Sequence, residues 1–192
     1  MLSTTIKEAT HEAHQHLEKI VVKKLKAIRS NADYAGVLKY FYAYFSQLES
    51  SIAPFITDKI LPDHRTRRTS AYLKADIEQL GESVAELPGV AVPQINNVVE
   101  ALGALYVMEG SIMGGPYIVQ MLGKHGITHG LSFFSGYGAE TPKKWQSFTS
   151  VLNVQATDVK AEQAAILTAN ETFRRFSEAF DAPVGRHVEK AV

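Results

Sequence analysis

The chain has 192 residues, 45% hydrophobic and 21% charged, with 20 Lys and Arg against 20 Asp and Glu and no cysteine. This is the size and composition of one ordinary globular domain. The charge balance leaves no global positive field to hold nucleic acid, and the lack of thiols excludes disulfides, thiolate catalysis, zinc–cysteine sites and cysteine-bound clusters. The N-terminal MLSTTIKEATHEAH has no apolar signal core, and the one membrane-like stretch, residues 101–123, carries Glu109 at its centre. The expectation is a cytoplasmic protein with no membrane span.

Helical spacing runs through nearly the whole chain. Thr5 and Glu8 form a capping box for a first helix. Its apolar stripe is Ile6, Ala9, Ala13, Leu17, Ile20, Val21, Leu25 and Ile28. Asp33 is placed to cap a second helix over residues 34–55, rich in Tyr and Phe. A turn at 62–65 leads to a third helix over 67–80, stopped by Gly81. Residues 82–92 read as a loop, and Pro93 suits the first turn of a fourth helix that ends at Gly123 and bends at Pro116. Residues 124–140 are irregular. Thr141-Pro142 opens a helix to residue 152, and Asp158 caps the last, which ends near Phe180. The expected fold is one all-α domain over residues 1–182, a multi-helical bundle, followed by a flexible tail over 183–192.

Two features point to chemistry. The fourth helix holds Gly103, Gly110, Gly114 and Gly115, each costing a helix interior roughly 1 kcal/mol relative to alanine. Gly103, Gly110 and Gly114 fall within roughly 20° of one line on the helix surface, a bare row against which something large and flat can lie. Ser111 adds a hydroxyl able to hold a water. The first helix places His14 beside the apolar stripe with Glu18 one turn on. A carboxylate there accepts the Nδ1 proton and leaves Nε2 free for a metal. Taken singly, each feature has a plainer reading: a surface pair, an ion shared by His11 and His14, or close helix packing at the glycines. The aromatic residues of the second helix read first as core. Two basic clusters, Lys23, Lys24, Lys26 and Arg29, then Arg65, Arg67 and Arg68, read as solvated faces and helix-end charges.

These residues together resemble the haem oxygenase family. IKEATHEAHQHLEK is similar to its first-helix motif, LYVMEGSIMGGPYI to its distal-helix motif, YFSQLESSI to its second-helix pattern, and LSFFSGYGAETPKKWQSF to the approach to the penultimate helix. The resemblance makes His14 the axial iron ligand and Glu18 its hydrogen-bond partner. Gly110, Ser111 and Gly114 fall on the reacting face, and Gly115 completes the glycine pair. Lys7, His11, Phe45 and Phe173 join the haem-binding set. Ser111 stands where animal members carry aspartate, as in several bacterial members, and Gln146 and Ser150 stand where basic propionate anchors are expected.

The resemblance implies that haem, iron protoporphyrin IX, is both cofactor and substrate. It is cleaved with O2 and electrons from an external donor (ferredoxin, flavodoxin or a reductase) to biliverdin, carbon monoxide and ferrous iron. A basic patch then suits an acidic donor. The alternative on the same fold is a haem carrier or sensor without turnover. A thiamine-degrading type of enzyme, which relies on a cysteine, and a ligand-free helical protein are more distant readings.

Overall fold

The computed structural model describes residues 1–183, within which eight α-helices carry the fold and no strand forms. They are α1 (Leu2–Ala9), α2 (His11–Ala27), α3 (Asn31–Ile52), α4 (Ser70–Gln79), α5 (Val98–Met113), α6 (Gly115–Lys124), α7 (Thr141–Gln155) and α8 (Val159–Ala179). The tail expected beyond residue 183 lies outside the described residues.

Several expected boundaries move, each for a local reason. The first helix is broken at Thr10, whose backbone leaves helical geometry at φ −102° and ψ 1°. The Thr10 hydroxyl donates to the Ile6 carbonyl at 2.7 Å, sharing it with the Thr10 N–H at 3.0 Å, a back-bond of the kind that bends helices. Thr5 is no cap: its hydroxyl donates back to the Leu2 carbonyl, and the helix has already begun at Leu2. Ser30, rather than Asp33, caps α3, accepting the Asp33 N–H at 3.1 Å, while Asp33 itself accepts from the Arg29 N–H. Pro93 lies outside the fourth helix. Asn97 caps α5 by accepting the Glu100 N–H at 3.0 Å, and the chain from 90 to 96 forms no helix. The expected bend near Pro116 is a full break at Gly114, so one predicted helix is two.

Helix α5 is the axis of the molecule. Residues Ala101–Glu109 are all buried, so it has no solvent face, as befits a helix enclosed by others. Its main partner is α8, with α7, α3 and α6 around it. Gly103 makes the α8 contact possible: a Cβ there would lie 2.4 Å from the Ala165 carbonyl oxygen. Gly115 does the same against the 131–138 loop, where a Cβ would lie 1.9 Å from the Phe134 carbonyl oxygen. An aromatic cluster fills the space between α3, α8 and that loop. Phe41 meets Phe45, Phe134 and Phe176 edge-on, and Tyr44 stacks on Phe176 at 4.7 Å.

Gly103→Ala is therefore expected to lower stability by about 1–3 kcal/mol, the cost of overpacking two backbones. Gly36→Ala on α3, where nothing lies within 4 Å, is expected to raise it by up to about 1 kcal/mol. Chemical denaturation of both variants checks the contrast.

Candidate functional site

A cleft of about 560 Å³ opens between two walls, a size typical of small-molecule sites. One wall is α1–α2, contributing Lys7, Thr10, His11, His14, Leu17, Glu18 and Val21. The other is α5–α6, contributing Tyr106, Gly110, Ser111, Met113, Gly114 and Tyr117. Phe41, Phe134, Phe173 and Phe176 form the apolar floor, and Trp145 of α7 closes one side. The break at Thr10 lets the α1–α2 wall bend around the cleft, and the break at Gly114 does the same for the opposite wall.

The four glycines divide. A Cβ on Gly110 would meet only the Trp145 ring tip, Cη2, at 3.9 Å, and one on Gly114 only the Ser111 carbonyl at 3.9 Å. These two present bare backbone to the cleft. Gly103 and Gly115, fixed against protein backbone as above, do not line it. The single row of glycines is thus packing at one end and open slot about 10 Å further along. Gly115 leaves the binding set for a physical reason: Phe134 already occupies its open side.

His14 sits on the cleft wall, exposed to the open slot, with its ring edge-on to Phe173 at 5.5 Å. Phe173 lies beneath the imidazole as a buried floor residue. Glu18 lines the same wall one turn on, but among the described residues no hydrogen bond joins it to His14. The imidazole is held by Phe173 packing instead. Lys7 and His11 stand at the α1–α2 junction on the cleft. Phe45 is not on the cleft: it is fully buried among Phe41, Phe133 and Phe176, one layer below. The Ser111 hydroxyl donates to the Met108 carbonyl at 2.6 Å, so its proton is engaged within the helix and its lone pairs remain free.

Sequence reasoning missed three things. Thr10 and Tyr106 face each other across the base of the cleft, and burial pushes the Tyr106 phenol above its ordinary value, the Thr10 side chain opposing. Trp145 was unassigned; only its place in the resembling segment hinted at it. Arg67 was read as a surface cation, yet it is 4% exposed and donates from Nη1 to Oε2 of Glu109, itself 3% exposed, at 2.7 Å. Arg67 also grips Asp63 through Nε and Nη2 and donates from Nη2 to the Lys144 carbonyl at 3.1 Å. Tyr137 donates its hydroxyl to Glu109 at 3.1 Å and accepts the Arg68 N–H at 2.9 Å. Burial pushes the Glu109 carboxyl above the usual carboxylate range, against the pull of Arg67 and of the Tyr137 hydroxyl. Arg65 pairs with Asp58, and Arg68 lies over the Tyr72 ring and donates to the Gly136 carbonyl, so two of the three cations of the second basic cluster are in ion pairs and all three are engaged by the protein. Glu109, the one carboxylate in the buried stretch of the apolar helix, was the signal that a cation or a proton had to meet it.

The architecture thus defines a class: an all-helical protein with a thin apolar slot, an imidazole on one wall and bare main chain on the other. The family model described as "Heme oxygenase" matches residues 1–182. A "Heme oxygenase" of Xanthomonas campestris pv. campestris is 30% identical over 146 residues, covering 74% of this chain and 86% of that protein. "Heme oxygenase PigA" of Pseudomonas aeruginosa is 25% identical over 177 residues, covering 88% of this chain and 86% of that one. The fold matches the crystal structures of the NO- and CO-bound heme oxygenase from Neisseria meningitidis with a TM-score of 0.81 at 20% identity, covering 100% of this chain and 98% of that one. The chain belongs to the haem oxygenase family and is an oxidoreductase of haem catabolism. No helix among the described residues is long and apolar enough to cross a membrane.

Removing one partner of the buried pair should be far worse than removing both. Arg67→Met is expected to cost about 3–5 kcal/mol by stranding Glu109, and the Arg67→Met, Glu109→Met double variant to recover most of it. A urea-denaturation double-mutant cycle measures the difference.

Proposed function

We propose that the cleft takes haem edge-first between its two walls and that the enzyme opens the ring to biliverdin, carbon monoxide and ferrous iron. The observation that carries this is the pairing of His14 on one wall with the open backbone of Gly110 and Gly114 on the other. The residues fit the group. The floor is apolar and aromatic, the slot is thin because no side chain projects from the two glycines, and the imidazole suits iron. When bound, the haem supplies the iron that engages O2 and the ring carbon that is oxidised.

His14 holds the substrate from the α2 wall, with Phe173 limiting the rotation of its ring. Glu18, one turn away on the same wall, would fix the tautomer that leaves Nε2 free by turning to accept the Nδ1 proton. Lys7 and His11 offer the cations for the propionates at the α1–α2 junction, where the substrate's charged edge meets solvent. On the far wall Gly110 and Gly114 would bring the α5 backbone against the substrate's other face and leave little room above it. The Ser111 hydroxyl, whose own proton goes to Met108, accepts a hydrogen bond from a water, which in turn can donate to the oxygen. Met113 and Tyr117, both exposed, stand at the lip of the cleft, where a bound macrocycle would cover them and shed water. Electrons come from a separate protein, a ferredoxin, flavodoxin or reductase. Residues 1–182 act as one unit in this reading.

One observation favours a second reading, a haem carrier or sensor without turnover. Gln146 and Ser150 are neutral where basic anchors are expected, and neither lines the cleft. Haem, O2 and ascorbate together separate the two. The enzyme converts the Soret band into biliverdin absorption, and the carrier leaves it in place.

His14→Ala is expected to lose the low-spin haem spectrum and at least most of the turnover, read by visible spectroscopy; a variant with normal ring cleavage removes His14 from the axial role. Gly110→Leu is expected to keep the fold, since its Cβ has room, but to fill the slot and weaken haem binding by an order of magnitude or more, roughly what a bulky side chain costs in a preformed pocket. Haem titration beside circular dichroism checks both halves.

A further inference from the structure

Gly110 and Trp145 meet across the cleft wall, one on α5 and one on α7, with the Trp145 ring tip 3.9 Å from the position of a Gly110 Cβ. The residue before each of them in the chain, Glu109 and Lys144, is bound by the same side chain. Arg67 donates to the Glu109 carboxylate at 2.7 Å and to the Lys144 carbonyl at 3.1 Å. Its Nε and Nη2 fix it to Asp63, which also accepts from Lys144 Nζ at 2.9 Å. The guanidinium sits 5.8 Å from the Phe148 ring, one turn past Trp145 on α7. None of Arg67, Glu109, Asp63 or Lys144 lines the cleft. The charged cluster lies behind the wall.

We propose that Arg67 is a positioning residue that sets the separation of Gly110 and Trp145, and with it the width of the slot at the reacting face. The inference rests on the reading that the cleft holds a flat macrocycle. The planar fork of arginine is what the task needs: one rigid group reaches three partners in fixed directions, which the single ammonium of lysine cannot do. Helix α5 has bare backbone at Gly110, so on the cleft side it meets α7 there only through the Tyr106 ring, one turn back and 5.5 Å from the Trp145 ring. The ion pair behind the wall supplies the polar restraint at Gly110 itself. A buried charge in an otherwise apolar helix costs desolvation, and a position one residue from the open glycine is where such a restraint acts most directly.

Trp145 is the sole tryptophan of the chain, so its emission reports the wall directly in the haem-free protein. Arg67→Lys keeps the charge and loses the fork. The expected result is retained helical circular dichroism, Trp145 emission shifted to the red with easier acrylamide quenching, and a haem affinity, read by quenching of the same emission, weakened about tenfold, as for the loss of one charge-assisted hydrogen bond. Asp63→Asn acts on the partly exposed side of the cluster, and its expected effect is the same in direction and smaller; it decides alone if Arg67→Lys does not fold. Gly103→Ala is the control for a merely structural role: it strains α5 about 10 Å away and should lower the melting temperature with Trp145 emission unchanged. Folded Arg67→Lys and Asp63→Asn proteins with wild-type emission would overturn the proposal. So would a Gly103→Ala protein whose emission moves as far as that of Arg67→Lys. Failure of wild-type emission to quench with haem counts against the function proposed for the cleft, while the haem-free emission still judges Arg67.

Discussion

The structure depends on how closely the backbone of α5 approaches its neighbours. At Gly103 it touches the α8 main chain, and just past its C-terminal end Gly115 touches the main chain at Phe134. Those two contacts fix the helix at both ends. Between them, Gly110 and Gly114 have no such neighbour, and the missing side chains leave a gap rather than a contact. A slot for a flat substrate needs both conditions. Without the outer contacts the helix would drift into the space, and with side chains at the inner positions the space would be filled. Packing density in protein interiors is high enough that an open slot must be held open by its surroundings.

The same logic explains the floor. Phe41, Phe134 and Phe176 are locked edge-on against one another, and the loop that carries Phe134 is tied at both ends. Asp76, buried on α4, accepts the Ser132 and Phe133 N–H groups at 2.9 and 2.8 Å, and Tyr34 donates to the Gly130 carbonyl at 2.9 Å. At the far end Tyr137 reaches Glu109 and Arg68. A loop that passes through positive φ at Gly130, Gly136 and Gly138 would otherwise be a poor wall for a site that must hold its shape. Here its backbone groups are paired with buried side chains of α3 and α4 and its Tyr137 hydroxyl with Glu109 of α5, which gives it the rigidity of an element.

The helical class, the capping role of Asp158, the stop at Gly81, and His14 with Gly110 and Gly114 were legible because each rests on local chemistry or on a motif within one helix. What was not legible needed tertiary information. The glycine row reads the same at Gly103 as at Gly110, because the sequence carries no mark of which neighbour lies opposite. Phe45 and Phe173 look alike on their helices, yet one is core and the other floor, a difference set by the rotation of α3 and α8 against α2. The break at Thr10 comes with a hydroxyl that shares the Ile6 carbonyl with its own N–H, a bend that a stripe of apolar residues does not reveal. Capping failed in the same way: Ser30 and Asp33 both qualify, and the choice falls to the residue whose backbone is already extended, with Ser30 at φ −148° and ψ 166°.

Arg67 shows how a charge count misleads. In the sequence it stands in a cluster of three cations beside a turn, the usual mark of a solvated face. In the fold Arg65 goes outward to Asp58, Arg68 lies over Tyr72 at 4.0 Å, and Arg67 turns inward to Glu109. The informative residue was the partner. A carboxylate in the buried stretch of a helix has to be protonated or paired, and pairing demands a cation from a distant segment. Once paired, the guanidinium ties the 63–67 turn, α5 and the start of α7 into one rigid body behind the cleft. The electrostatic requirement of Glu109 and the geometric requirement of the slot are then met by the same side chain, which is why a buried ion pair persists where an apolar pair would pack as well.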